Sequence, residues 1–168
     1  NIAVSEDRGQ TFRKRATVTK PNQTGPTNEF VYPVVDPNGD VYLAIASSSP
    51  SRPTAKTIYV ARSTDDGRTW SAPYSPHHDG TQNEHGFASL FDVRGAGLGL
   101  VWLDGRAMKP PATPDEDGTG DMSLRAAVFD REGRQLSEEA IDVRVCECCP
   151  TAAAATSDGV IVAYRDRS

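Results

Sequence analysis

Two octapeptides in this chain follow one pattern. Residues 5–12 read SEDRGQTF and residues 63–70 read STDDGRTW, so that Ser, Asp, Gly, Thr and an aromatic residue recur at identical offsets. A repeated octapeptide is a repeated binding site, a repeated catalytic site or a repeated piece of scaffold. Its surroundings favour a scaffold. Short runs with period-two alternation flank each copy and recur along the chain: Val41, Leu43, Ile45; Ile58, Val60; Leu124, Ala126, Val128; Val160, Val162, Tyr164. That period is the signature of half-buried β-strands. Between the runs lie DPNGD (36–40), DREGR (130–134) and SDG (157–159), whose Gly, Asn and Asp residues tolerate the positive φ of tight hairpins. No segment has a helical period, so the expected class is all-β.

Longer units repeat as well. Residues 29–46, 85–106 and 148–168 each show an apolar or small-residue strand, a Gly-containing turn and a second apolar strand. The first two units continue through a polar loop into a third strand, at 57–63 and 123–130, and a shorter fourth segment closes them. A period of about 55 to 63 residues suits four antiparallel strands, the size of a propeller blade. The expected division is 1–25 as the end of one blade, 26–80 and 81–142 as complete blades, and 143–168 as the first half of another.

The octapeptides resemble the Asp-box, the S-x-D-x-G-x-T-W signature of sialidase (neuraminidase)-like proteins, also called the BNR repeat. The HGF…VWLDGR run and the SDG…VAYRDRS ending resemble segments of sialidase-like bacterial proteins. The resemblance implies a β-propeller, usually six-bladed, of which this chain would supply about half. The rest of the ring would come from sequence missing here or from another subunit, because an open half-ring exposes strand edges. Ser5, Asp7, Gly9 and Phe12, and likewise Ser63, Asp65, Gly67 and Trp70, are expected to be structural. The carboxylates would accept backbone N–H groups, the glycines supply the unusual backbone angle, and Phe12 and Trp70 cover the interface between blades.

In such a blade the Asp-boxes occupy one face, and longer loops collect on the other, at 47–56, 74–84 and 107–121. Binding chemistry is expected on that second face. Its candidate residues are His85, Asp104 and Arg106 in one unit and Tyr164, Arg165, Asp166 and Arg167 in the next. Guanidinium groups match a sugar carboxylate in geometry and charge, and an Asp beside them suits general acid catalysis. The bland alternative is a set of salt bridges between blades. The resemblance implies a retaining exo-glycosidase acting on terminal acidic sugars without a required cofactor. It would use an Asp acid/base (Asp104 or Asp166), a Tyr nucleophile (Tyr164) aided by a Glu, and arginines gripping the substrate (Arg106, Arg165 and Arg167, with His85). The family's Arg-Ile-Pro motif has no counterpart: FVYP (30–33) carries no Arg. A non-catalytic propeller that binds glycans or proteins is the second expectation.

Two clusters suggest metals. Asp115, Asp117 and Asp121 surround a Gly-rich turn like a short calcium loop, the alternative being a solvated acidic loop. Cys146, Cys148 and Cys149 suit a soft metal, a disulfide, pairing with cysteines elsewhere, or buried free thiols; His77, His78 and His85 could add ligands. A net charge of −5 without a basic run gives no electrostatic case for nucleic acid, and no apolar stretch approaches the roughly 20 residues of a membrane span. A secreted or periplasmic location is expected. The absence of an initial Met, with an opening in mid-pattern, suggests processing or a piece of a longer protein.

Overall fold

A computed structural model describes residues 1–16, 27–49, 51–113, 116 and 118–167. Among them there is no helix, and the strands form four antiparallel sheets in chain order. The first sheet pairs β1 (Ile2–Val4) with β2 (Arg13–Ala16). The second has the order β3 (Thr27–Val35), β4 (Val41–Ser49), β5 (Arg52–Ser63). The third runs β6 (His85–Val93), β7 (Gly97–Asp104), β8 (Met122–Asp130), β9 (Gln135–Val145). The last pairs β10 (Ala152–Ala155) with β11 (Val160–Ala163). Every strand pairs with its sequence neighbour; most connections within a sheet are short turns, while residues 5–12 join β1 to β2 and the long segment 105–121 joins β7 to β8. The expected fourth segment of the second sheet survives as one bridge, in which Tyr74 exchanges both backbone hydrogen bonds with Val60 (2.8 and 3.0 Å).

The sheets stack face to face. β6 lies against β3, β4 and β5 on one side, and β10 lies against β6 on the other. One core joins Tyr42, Ala44, Ile58 and Val60 of the second sheet to Leu90, Leu98, Leu100, Trp102 and Phe129 of the third. The other core gathers Phe91, Val101, Leu103, Met122, Leu124 and Val145 with Ala153 and Val162 of the last sheet. Being covered on both faces, β7 is buried at all eight positions, which is why GLGLVWLD reads as a continuous apolar run. Gly99 is required there: a Cβ would lie 2.0 Å from the Phe91 ring.

Each octapeptide is organised around its first Asp. Asp65 accepts the Thr69 and Arg68 N–H groups and the Ser63 and Thr69 hydroxyls. Asp7 accepts the same bonds from Thr11 and Ser5. Gly9 and Gly67 take φ of 86° and 77°. Hydrogen bonds to Thr69 and Thr11 hold both carboxyls down at about 2. Trp70 is half-buried and donates to the Gly67 carbonyl. Phe12 differs from expectation: it is 67% exposed. Asp130, in the third sheet, accepts the Glu132 and Arg134 N–H groups without a full octapeptide.

The expected loop at 47–56 needs correction. Most of it is strand, because β4 runs to Ser49, β5 starts at Arg52, and the pairing continues through Ser47 with Thr57 and Ser49 with Arg52. Ser and Thr read as loop formers in sequence, but their backbones complete the ladder at the end of a long hairpin.

Candidate functional site

Where β6 begins and β7 ends, charged side chains converge below the protein surface. Register fixes their meeting: His85 pairs with Asp104 across the two strands, and both side chains are fully buried. The segment after Tyr74 returns alongside and adds His77 and Asp79. The His77 and His85 rings stack with centroids 3.8 Å apart.

Each polar atom limits the next. The Ile58 N–H donates to His77 Nε2 at 3.3 Å, so Nδ1 carries the ring proton and faces Asp79 Oδ2 at 3.2 Å. Burial, reinforced by the His85 ring, depresses His77 to about 4, and it is neutral near pH 7. His85 Nδ1 lies 3.0 Å from the Asn83 carbonyl, which can only accept, so this nitrogen also carries hydrogen. Its Nε2 lies 3.1 Å from Asp79 Oδ2 and 3.6 Å from Asp104 Oδ1. It is nevertheless buried without a well-aligned hydrogen bond.

Asp104 is committed on every side. Arg106 grips it with two parallel bonds of 2.8 Å, the Arg106 N–H adds 2.9 Å, and the Trp102 indole donates at 2.8 Å. Burial opposes its charge, yet the Arg106 bonds and the nearby His85 hold the carboxyl below its ordinary value. Asp79 is similar: Thr81 and the two imidazoles outweigh its burial and hold it well down. Arg106 also reaches Glu138 on β9 at 2.8 Å, a carboxylate shared with Arg125 at 2.8 Å. Hydrogen bonding to Asp104 raises the Arg106 pKa further.

His77, Asp79 and His85 present ligand atoms within 4.8 Å of one another, close enough for a metal ion. Two features weigh against one. Both His77 nitrogens are already engaged. In addition, Asp79, Asp104 and Glu138 already face Arg106 and Arg125, which offset two of their three negative charges. A divalent cation would leave it positive, and buried charge is costly unless balanced.

The other expected site residues lie elsewhere. Tyr164 donates its hydroxyl to Asp142 at 2.9 Å, and that bond raises its pKa, the wrong direction for a nucleophile. Arg165 lies 3.8 Å from Cys149 Sγ, Arg167 pairs with Glu147, and Asp166 forms a backbone bridge to Val145. Arg106 and Arg165 therefore have separate partners and do not form one clamp. Asp121 lies 3.4 Å from Arg144, while Asp115 and Asp117 lie outside the described residues. Cys146 and Cys149 form a disulfide and Cys148 is a free, exposed thiol. His78 is exposed.

Sequence reading missed Asp79, Glu138 and Trp102. Asp79 had one available signal, its place in HHDG beside two histidines. Glu138 had none, since it sits in the polar strand SEEA. Also unforeseen is a cleft of about 260 Å³ beside the cluster, lined by Ser47, Arg52, Thr57, Tyr59, Gln82 and Asn83. Asn83 joins the two features, because its carbonyl is the partner of His85.

No protein-family model matches the chain, and no curated protein matches it. Among solved structures, a protein of unknown function from Dyadobacter fermentans DSM 18053 superposes over 98% of this chain with a TM-score of 0.67 at 17% identity. The two share a fold. The chain spans only 40% of that protein's length. An ulvan lyase of polysaccharide lyase family PL25 aligns over 79% of this chain and 35% of its own, at 14% identity and a TM-score of 0.43, too low to carry an argument. Among the described residues no helix is long and apolar enough to cross a membrane.

Proposed function

We propose that this chain is part of an exported, sialidase-like Asp-box β-propeller that binds glycans and does not hydrolyse them with the residues at its strand ends. The blade reading is supported by four up-and-down sheets stacked in chain order and by two Asp-boxes with matching bonds. One observation carries the choice between binding and hydrolysis: the Arg106 guanidinium is occupied by Asp104 and Glu138. Arg106 is closed to a substrate carboxylate by the two carboxylates that grip it, and Asp104, held below its ordinary pKa, has no proton to give up. The binding surface is the neighbouring cleft. There Arg52 suits the carboxylate of an acidic sugar, Ser47, Thr57, Gln82 and Asn83 suit its hydroxyls, and Tyr59 adds an exposed aromatic ring.

The full-length protein tests this with two assays, calorimetric titration with a terminal acidic sugar and hydrolysis of a fluorogenic sialoside. Saturable binding lost in Arg52→Ala, without turnover, is the expected result. Turnover that disappears in a folded Asp104→Asn variant would restore the hydrolase reading. Binding indifferent to Arg52→Ala would remove the cleft from consideration.

A further inference from the structure

The turn that carries Cys146, Cys148 and Cys149 is clamped at both ends. Before it, the Cys146 N–H donates to the Arg165 carbonyl at 2.9 Å, and the Arg167 N–H to the Arg144 carbonyl at 3.3 Å. After it, the Thr151 hydroxyl donates to the Phe87 carbonyl, and the Ala153 N–H to Ser89 Oγ at 2.9 Å. The three sulfurs consequently fall within 4.8 Å of one another. The Cys146–Cys149 disulfide uses two of them. It does not explain why Cys148 Sγ is held 3.7 Å from Cys146 Sγ.

A metal site accounts for the third sulfur. Zinc–thiolate bonds of about 2.3 Å in a tetrahedron separate neighbouring sulfurs by about 3.8 Å. Charge agrees too: three thiolates around a divalent cation sum to one negative charge, and the Arg165 guanidinium lies 3.8 Å from Cys149 Sγ to balance it. Glu147, the acidic residue of the turn, is already paired with Arg167. The spacing is not that of a scattered surface set, because all three ligands belong to one four-residue turn fixed by backbone bonds.

We propose that the 146–149 turn, once reduced, is a three-thiolate site for a soft divalent cation of the zinc type, and that the Cys146–Cys149 disulfide is its oxidised, metal-free form. An external dithiol supplies the two electrons and two protons that cleave the disulfide, becoming a disulfide itself and leaving Cys146 and Cys149 as thiols. Cation binding then displaces the three thiol protons, with the fourth coordination position left to solvent beside the exposed Cys148.

The test uses full-length protein reduced with dithiothreitol, desalted without oxygen and titrated with cobalt(II), then zinc(II). Thiolate-to-cobalt charge-transfer absorption saturating at one equivalent and bleached by zinc is the expected result, with none in the oxidised protein. Cys148→Ser, at an exposed position whose fold circular dichroism can check, should weaken cobalt binding by at least the roughly tenfold that loss of a mere supporting group costs. Absence of saturable absorption after reduction would overturn the proposal. So would equal binding by the oxidised protein, or a Cys148→Ser titration identical to that of the wild type.

Discussion

The imidazoles of His77 and His85 lie parallel to within 5°, with centroids 3.8 Å apart, and each turns a nitrogen toward Asp79 Oδ2. Two stacked rings share one carboxylate, so the cluster cannot hold a charge on both at little cost. His77 is the ring kept neutral.

Acid should therefore weaken the fold in a defined window. The His77 pKa is lowered in the folded state, so between pH 6.5 and about 4 the unfolded chain binds a proton that the native state refuses. Stability accordingly falls as pH drops through that range, by up to about 3 kcal/mol if His77 acts alone. Urea unfolding as a function of pH measures the slope. An imidazole titrating near 4 in NMR spectra should vanish in His77→Gln, and a His77 resonance titrating near its ordinary value would contradict the buried, neutral ring.

Removing Arg106 should be costly. Arg106→Ala strands Asp104, which is fully buried, and breaking a buried pair from one side costs about 3–5 kcal/mol. The double replacement Arg106→Met with Asp104→Leu should recover much of that loss. Chemical denaturation of the three variants decides the matter, and a single mutant as stable as the wild type would show the pair to be dispensable.

The octapeptide carboxylate Asp65 should matter more than its neighbour. Asp65 anchors four hydrogen bonds within its hairpin, whereas exposed Asp66 reaches only Arg68. Asp65→Ala is expected to lower the melting temperature clearly and Asp66→Asn, which suits the φ of 56° at that position, hardly at all. Since the Asp65 pKa is depressed from 3.8 to about 2, its contribution is complete above the unfolded value and fades as pH falls through about 2.

Gly99→Ala should also destabilise, because the new methyl would overlap the Phe91 ring and β7 has no free face toward which to move. Overpacking of this kind typically costs about 1–3 kcal/mol. Phe91→Leu in the same chain should relieve part of it, and thermal unfolding of the single and double variants is the measurement.

Much of this was legible in the chain itself. Alternation at Val41, Leu43 and Ile45 and the turn residues of DPNGD placed strands and hairpins, because strand pleat and positive φ are local constraints that a few residues satisfy or fail. Asp7 and Asp65 were legible for the same reason, since every group they bind lies within four residues. Arg106 and Asp104, two residues apart, were readable as a pair but not as a self-neutralised one: Glu138 reaches Arg106 only through the β8–β9 hairpin, and Asp79 only through the segment returning after Tyr74. The cleft at Arg52 was hidden because a Ser- and Thr-rich strand end reads as loop until its ladder is seen.

The sequence by itself thus determined the all-β class, the strands and the two octapeptide hairpins. Only the tertiary structure decided which charges face a cleft and which face one another, because that choice depends on partners brought together by stacking and register, not by neighbouring positions in the chain.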